Sequence, residues 1–292
     1  MSEDPFVAHR SLLFTVAYEM LGSAADAEDI VQEAWLRWAA LGDAGRGEVR
    51  DPRAYLVRVV TRLCLNRQRT LARRREDYVG EWLPEPLLTS PDVAEDVELA
   101  ESVSIAMLRV LETLRPTERA VFVLREVFDV PYDEIAEALD KSSPAVRQIA
   151  TRARQHVAAR RPRMSVSRSE QEQVVERFLA ALTTGDVPAL LDVLAPDVLV
   201  VGDGGGLAPT IPKPVRGASK IASVMGQFAE LVPDPRGLVA ELNGSVALRI
   251  DPGGEHDTAV SFVIEDGRIT EIYAVRNPHK LQRLNETAQL TR

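Results

Sequence analysis

The hydrophobic pattern of this chain changes period once. Up to residue 163, apolar residues recur at helical spacing. After residue 198 they fall into short strand-like runs separated by turn dipeptides. That order dictates helical domains first and a mixed helix-and-sheet domain last. The 292 residues are enough for two or three separate cores.

Residues 1–79 read as one all-helical domain. Phe6 to Met20 is amphipathic and stops at Gly22-Ser23. Asp26 to Ala40 places Ile30, Val31, Ala34, Trp35 and Trp38 on one stripe, which predicts core packing for both tryptophans. The opposite face carries Asp26, Asp29, Gln32 and Glu33. A glycine-rich stretch, Gly42 to Gly47, reads as a loop. Asp51-Pro52 then starts a helix, with Asp as N-cap and Pro in the first turn. Tyr55, Leu56, Val59, Val60, Leu63 and Cys64 form its apolar side, and arginines form the other.

Residues 80–104 read as a linker. Between Glu81 and Glu101 it holds seven acidic residues and no basic one. Pro84, Pro86 and Pro91 exclude a regular helix from its first half. Trp82 and Leu83 are too apolar for a free spacer, so this linker is expected to dock on something.

Residues 105–163 are helical again. Tyr132 to Leu139 forms a short helix with Ile135, Ala136 and Leu139 inward. Asp140 to Ser142 makes a turn without the common glycine. Ser143 is placed to cap the next helix, with Pro144 at its first position. Val146, Ile149 and Ala150 face the preceding helix. This is the helix-turn-helix pattern, whose second helix enters the major groove of DNA.

Charge supports that reading. Residues 46–75 carry a net charge of +8 and residues 141–163 carry +7, within a chain of net charge −9. Solvated helix faces ordinarily interleave both signs. Sorting this sharp predicts two surfaces for a polyanion. Cys64 is the only cysteine, which excludes an internal disulfide and a cysteine-based zinc site. Four scattered histidines make no metal cluster, and the expectation is no metal and no cofactor. No apolar run is long enough to span a membrane, and MSEDPFVAHR lacks a signal-peptide pattern, so a cytoplasmic protein is expected.

Residues 168–290 are expected to form an α+β domain. Gln171 to Leu182 and Asp186 to Leu194 read as helices. Strand-like runs follow at Val198–Val201, Leu238–Leu242, Val246–Ile250, Thr258–Ile264 and Ile269–Val275. Asn243-Gly244 and Asp266-Gly267 are hairpin signals. The arrangement implied is helices on a curved antiparallel sheet.

With these residues in place, the chain resembles the sigma-70-type sigma factors of RNA polymerase over its full length. Asp26-Ala27-Glu28-Asp29-Ile30-Val31-Gln32-Glu33 looks like their second conserved region. The stretch around Tyr55-Leu56-Val57-Arg58-Val59 resembles their promoter-melting helix, and Leu114-Arg115-Pro116 through Arg154 resembles their fourth region. Two sigma domains alone are the extracytoplasmic-function (ECF) layout. The last domain looks SnoaL-like, akin to the NTF2-type cone, a fusion that marks one ECF subgroup. Three short motifs of that subgroup are present. Trp82-Leu83-Pro84-Glu85-Pro86 is intact. Asp203-Gly204-Gly205-Gly206 is followed by Leu207 where a basic residue is usual. Asn277-Pro278-His279-Lys280-Leu281 has His279 in place of an acidic residue.

The resemblance implies a function. The Asp26, Asp29, Gln32 and Glu33 face would dock on the β′ clamp of core polymerase, and the second helical domain would reach the β flap. Tyr55, Arg58, Arg62 and Asn66 would read and melt the −10 element through stacking and phosphate contacts. Many relatives have Trp where Tyr55 stands and Arg-Asn where Thr61-Arg62 stands, so this pocket is altered. Ser143, Ala145, Arg147 and Gln148 would reach base edges of the −35 element, while Arg152 and Arg154 would hold phosphates. The C-terminal domain would be a built-in regulator, with Asp203–Gly206 and Asn277–Leu281 contacting the Trp82–Pro86 linker or the first domain. The linker carboxylates would lie against an arginine-rich face when DNA is absent.

Other classes compete with this reading. A one-component repressor would sense an unidentified small ligand in the C-terminal cone. A DNA-tethered enzyme would use Asp203, Asp251 and His256 for acid–base work. No spacing pairs those three residues, and Asp251 and His256 flank a Pro-Gly-Gly turn. Asp203 before three glycines reads as a flexible loop rather than a buried strand carboxylate. The chain is therefore not expected to be an enzyme.

Overall fold

The computed structural model describes residues 4–161, 166–227, 232 and 236–292; Arg163 and the side chains of Arg73–Arg75, counted above in the basic blocks, lie outside that description. The chain forms two compact units. One comprises the residues up to Glu76, Met107–Arg161 and Gln289–Arg292, and the other Asp77–Ala106 with Pro162–Ala288.

The first unit is helical. Helix α1 (Pro5–Leu21) is capped by Asp4, whose Oδ1 accepts the Phe6 N–H at 2.8 Å, and ends at Gly22 in the left-handed region. Helix α2 (Ala24–Ala40) starts at Ser23, and α4 (Pro52–Glu76) starts beyond Asp51, whose carboxylate accepts the Ala54 N–H at 3.0 Å. Between them the expected glycine loop is a helix, α3 (Gly42–Glu48). Arg46 explains the difference: it donates from Nε to the Trp38 carbonyl at 3.1 Å and from Nη1 to Asp4 at 3.2 Å. Those contacts outweigh glycine's weak helix propensity. The tryptophan stripe is split. Trp38 is 1% exposed in the core, whereas Trp35 is 37% exposed at the rim, edge-on to Phe6.

Helices α7 (Ile105–Glu112), α8 (Pro116–Phe122), α9 (Tyr132–Ala138) and α10 (Ser143–Ala158) follow, with a π-helical turn at Val123–Val127 after α8. The α9–α10 pair turns without glycine because Asp140 itself adopts φ 51°. The cap of α10 is Ser142, which accepts from Ala145, one residue earlier than the sequence predicts. Ser143 instead hydrogen-bonds Asp133. Helix α4 packs against α8 and α9, joining the two helical segments in one body. Buried Arg119 on α8 donates to the Glu19 carbonyl of α1 at 2.8 Å.

The second unit is α+β. Its helices are α5 (Pro91–Glu95), α6 (Val97–Val103), α11 (Arg168–Thr184), α12 (Val187–Val193), α13 (Ala218–Gly226) and α14 (Pro278–Leu281). Its strands are β1 (Leu88–Thr89), β2 (Leu194–Asp203), β3 (Val215–Arg216), β4 (Gly237–Leu242), β5 (Ser245–Ile250), β6 (Thr258–Glu265), β7 (Arg268–Val275) and β8 (Thr287–Ala288), ordered β3-β2-β7-β6-β5-β4-β1-β8. Asn243-Gly244 and Asp266-Gly267 make the hairpin turns, with φ of 54° and 69° and of 49° and 71°. The sheet is mixed rather than antiparallel. β2 runs parallel to β7 and β1 parallel to β8, because each of those pairs joins segments far apart in sequence.

Both faces of this sheet are covered. Val175, Phe178 and Leu190 of α11 and α12 pack on Val200, Leu248 and Phe262. On the other face Leu83, Ile105 and Ala106 from the 77–106 segment, with Leu281 and Leu284, cover Val201, Ala247, Val263 and Tyr273. The linker therefore completes a core, as its Trp-Leu pair requires.

Candidate nucleic-acid interface and linker anchor

The acidic face of α2 is only partly open. Asp29, Gln32 and Glu33 are exposed, and Glu33 pairs with Arg37 one turn on at 2.7 Å. Asp26 is 9% exposed and lies 3.3 Å from Arg67, which also reaches Asp29 at 3.1 Å. Asp26 thus fixes α4 against α2 and presents little surface to a partner.

On α4, Tyr55 is half-buried, its ring 5.8 Å from that of Trp38, with the Arg58 guanidinium 5.8 Å above it. Arg58 also forms an ion pair with Glu137 of α9. Arg62 makes three bonds to the end of α9: to the carbonyls of Ala138 at 3.1 Å and Glu137 at 3.0 Å, and to the Asp140 carboxylate at 2.9 Å. Asn66 is exposed and accepts from Arg69. The carboxylates paired with Arg58 and Arg62 belong to Glu137 and Asp140, at the end of α9.

Helix α10 presents Arg147, Gln148 and Arg152 outward and buries Val146, Ala150 and Ala153 against its neighbours. Arg147 lies 5.6 Å from the Tyr132 ring centroid, and Arg125 covers the same ring at 4.9 Å. Stacking holds Arg147 ready near the N-terminal end of the helix, where Ser143 and Ala145 are half-buried. Arg154, further along, lies 3.8 Å from Glu126.

The three short motifs meet in the second unit, around a residue the sequence misplaces. Asp203 is fully buried at the end of β2. Its Oδ1 accepts the Tyr78 hydroxyl at 2.5 Å. Its Oδ2 accepts the Leu83 N–H at 2.9 Å and the Lys280 ammonium at 2.7 Å. Lys280 donates again to the Leu83 carbonyl at 2.5 Å and sits over the Trp82 ring, 3.3 Å from its centroid. Asn277 donates to the Tyr78 hydroxyl at 2.7 Å and caps α14 by accepting the His279 N–H, with Pro278 next to it. Burial and the bond to Asp203 push the Tyr78 phenol well up, so it stays a donor. A side chain on Gly205 would strike Asn277 and the Tyr78 hydroxyl, one on Gly206 would press on Val79, and one on Gly204 would strike the Ala208 carbonyl. The loop is thus fitted closely to Tyr78 and Val79, and Pro84 is buried with Leu83.

This geometry bears on the acid–base candidates. Both oxygens of Asp203 are engaged. Asp251 accepts the backbone N–H of His256 at 3.0 Å, closing the turn between β5 and β6. The helix–sheet layer is packed with aliphatic and phenyl groups, and a cavity of about 390 Å³ lies outside it, lined by Leu207, Arg249, Glu255, Arg276 and Asn285 among others. Among the described residues no group of three or more His, Cys, Asp or Glu is placed to hold a metal. No described helix is long and apolar enough to cross a membrane.

Several residues in these contacts carried no distinct signal in the sequence. Tyr78 stands just outside the Trp82–Pro86 motif. Asn243 reads as a turn residue, yet its buried amide accepts from Leu87 at 2.9 Å and donates to the Val103 carbonyl at 2.8 Å, fastening both ends of the linker. Glu137 and Asp140 look like ordinary solvated charges.

Comparison with known proteins agrees with the motifs. The Sigma-70 region 2 family matches residues 6–74 and the Sigma-70 region 4 family matches residues 104–157. The chain is 39% identical over 294 residues to the ECF RNA polymerase sigma factor SigJ of Mycobacterium tuberculosis, covering 96% of this chain and 93% of that protein. It is 34% identical over 289 residues to SigI of the same organism, covering 95% and 93%. The crystal structure of SigJ superposes with a TM-score of 0.75 at 37% identity, covering 96% of this chain and 98% of that one.

Proposed function

Because the chain belongs to the ECF sigma factors of RNA polymerase, we propose that its exposed surfaces divide the work of promoter recognition and that its C-terminal domain governs the linker between them. Its role is to direct core polymerase to promoter DNA for transcription initiation. Asp29, Gln32 and Glu33 dock on the β′ clamp, with Asp26 positioning α2, and the second helical segment reaches the β flap. Tyr55, Arg58, Arg62 and Asn66 take the −10 strand. Arg147 and Gln148 read base edges of the −35 element from the first turns of α10, beside Ser143 and Ala145. Arg152 and Arg154 hold phosphates, and Arg154 must first release Glu126.

The observation that carries the regulatory part is the Asp203–Lys280 pair, which grips the backbone of Leu83 by both its N–H and its carbonyl. Trp82, Leu83 and Pro84 are thereby held by Asp203–Gly206 and Asn277–Leu281, so the length of free chain joining the two DNA-reading segments is set by the C-terminal domain. Cutting after Val275 removes Lys280 and should free the linker and raise transcription in a purified core-polymerase assay. Removing the whole domain near Arg168 should lower it, since the core formed with Leu83 and Ile105 is then gone. If both truncated proteins transcribe like the full chain, the linker grip is not regulatory.

A repressor reading has no support in relatives that match over the whole chain. We infer no catalytic turnover in the C-terminal domain, since both Asp203 oxygens are committed to Tyr78, Leu83 and Lys280. Conversion of a keto substrate, lost in Asp203→Asn, would overturn that.

A further inference from the structure

Arg58 and Arg62 are assigned to single-stranded DNA above, yet both are already occupied. Arg62 faces three oxygens at the C-terminal end of α9, the Glu137 and Ala138 carbonyls and the Asp140 carboxylate, at 3.0, 3.1 and 2.9 Å. Arg58 is paired with the Glu137 carboxylate. Carbonyl oxygens at a helix C-terminus carry partial negative charge, and Asp140 adds a full one. A cluster of oxygens around one guanidinium, with a carboxylate on its neighbour, reproduces what two consecutive phosphates offer.

We infer that the end of α9 mimics a DNA backbone and holds the melting arginines shut until nucleic acid displaces it. The inference deepens the assignment of Arg58 and Arg62 and rests on it. Three features support a reversible rather than a permanent contact. The Glu137 and Asp140 side chains are 65% and 84% exposed, so water screens both pairs and their release costs little. The α1–α8 contact, between the same two helical segments, buries Glu19 and Arg119, charged groups that regain hydration when the segments part. Asp140 reaches Arg62 from the turn of the helix-turn-helix, whose φ of 51° directs the chain into α10. Movement of α10 onto a −35 element would therefore carry the mimic away from α4, so engaging one promoter element exposes the reader of the other.

The test uses the full chain with fluorophores on one residue of the first helical segment and one of the second, both away from DNA-reading positions. Energy transfer between them reports closure without DNA. Asp140→Arg should lower the transfer, and Arg62→Asp with Asp140→Arg should restore it, because the reversed pair closes again. The milder Glu137→Gln with Asp140→Asn should raise the affinity of the free protein for a single-stranded −10 oligonucleotide roughly fivefold, the combined worth of two exposed pairs. That gain should shrink as salt rises and screens the wild-type pairs. Unchanged transfer in Asp140→Arg, or no restoration in the reversed pair, would overturn the mimic. If transfer behaves as stated but Arg58→Ala with Arg62→Ala leaves oligonucleotide binding intact, the closure stands and the −10 assignment of these arginines is what fails.

Discussion

Replacing Lys280 by Met should unseat the linker, and the cost can be worked from the contacts. The Lys280 and Asp203 side chains are 7% and 0% exposed and lie 2.7 Å apart. Removing one partner of such a pair leaves the other charge buried, which costs about 3–5 kcal/mol. Methionine refills the volume, so the loss is electrostatic and not a cavity effect. For a unit of this size each kcal/mol lowers Tm by roughly 2–4 °C, giving a drop of about 6–20 °C in the transition that reports the C-terminal unit. Asp203→Asn combined with Lys280→Met should recover part of that loss, because the stranded carboxylate is gone. Thermal unfolding of the full chain by calorimetry measures both, and limited proteolysis between Gly80 and Pro86 should become faster in Lys280→Met alone. A drop below about 1 kcal/mol, or strict additivity of the two substitutions, would rule out a stranded buried charge at Asp203.

Arg147→Ala should weaken promoter binding by about 1–3 kcal/mol while sparing random duplexes, whereas Arg152→Ala should weaken all duplexes alike and reduce the salt slope by about one contact; filter binding on both DNAs across a salt series distinguishes them. Gly205→Ala should destabilise the C-terminal unit by about 1–3 kcal/mol in calorimetry, since φ is 60° there and the new methyl meets Asn277 and Tyr78. Tyr78 gives a pH signature. Its phenol is pushed up by burial first and by Asp203 second, so its stabilising share is full below the unfolded value near pH ~10 and is lost as pH rises through the higher folded value. The stability advantage of the wild type over Tyr78→Phe should stay level up to about pH 10 and shrink above it in denaturant titrations.

What the sequence disclosed, and what it hid, follows the range of the interactions. Turn signals and strand runs are local, so Asn243-Gly244, Asp266-Gly267 and five strands of the sheet could be read directly, as could the basic face of the helix-turn-helix, while its cap falls one residue earlier, at Ser142. The parallel β2–β7 pairing depends on which distant strands meet, which no local period encodes. Trp35 and Trp38 share a stripe, and only tertiary packing decides that one is buried. Arg46 turns a glycine run into α3 by bonds to Trp38 and Asp4, 8 and 42 positions away in sequence. Asp203 escapes a local reading for the same reason. Its loop-like neighbours hide a carboxylate whose partners, Tyr78, Leu83 and Lys280, lie 125, 120 and 77 positions away. The motifs could be recognised as motifs, but their mutual contact is a property of the fold.

Promoter-directed transcription with purified core polymerase, comparing the wild-type chain with Asp29→Arg plus Glu33→Arg, shows whether the exposed α2 carboxylates dock the chain on polymerase. Both positions are exposed, and Arg67 keeps Asp26 as a partner, so the fold should survive the reversal. The wild type should give a transcript with a defined start, and the double variant should lose both transcript and core-polymerase association with unfolding unchanged. Wild-type levels of association and transcript from the double variant would contradict that docking.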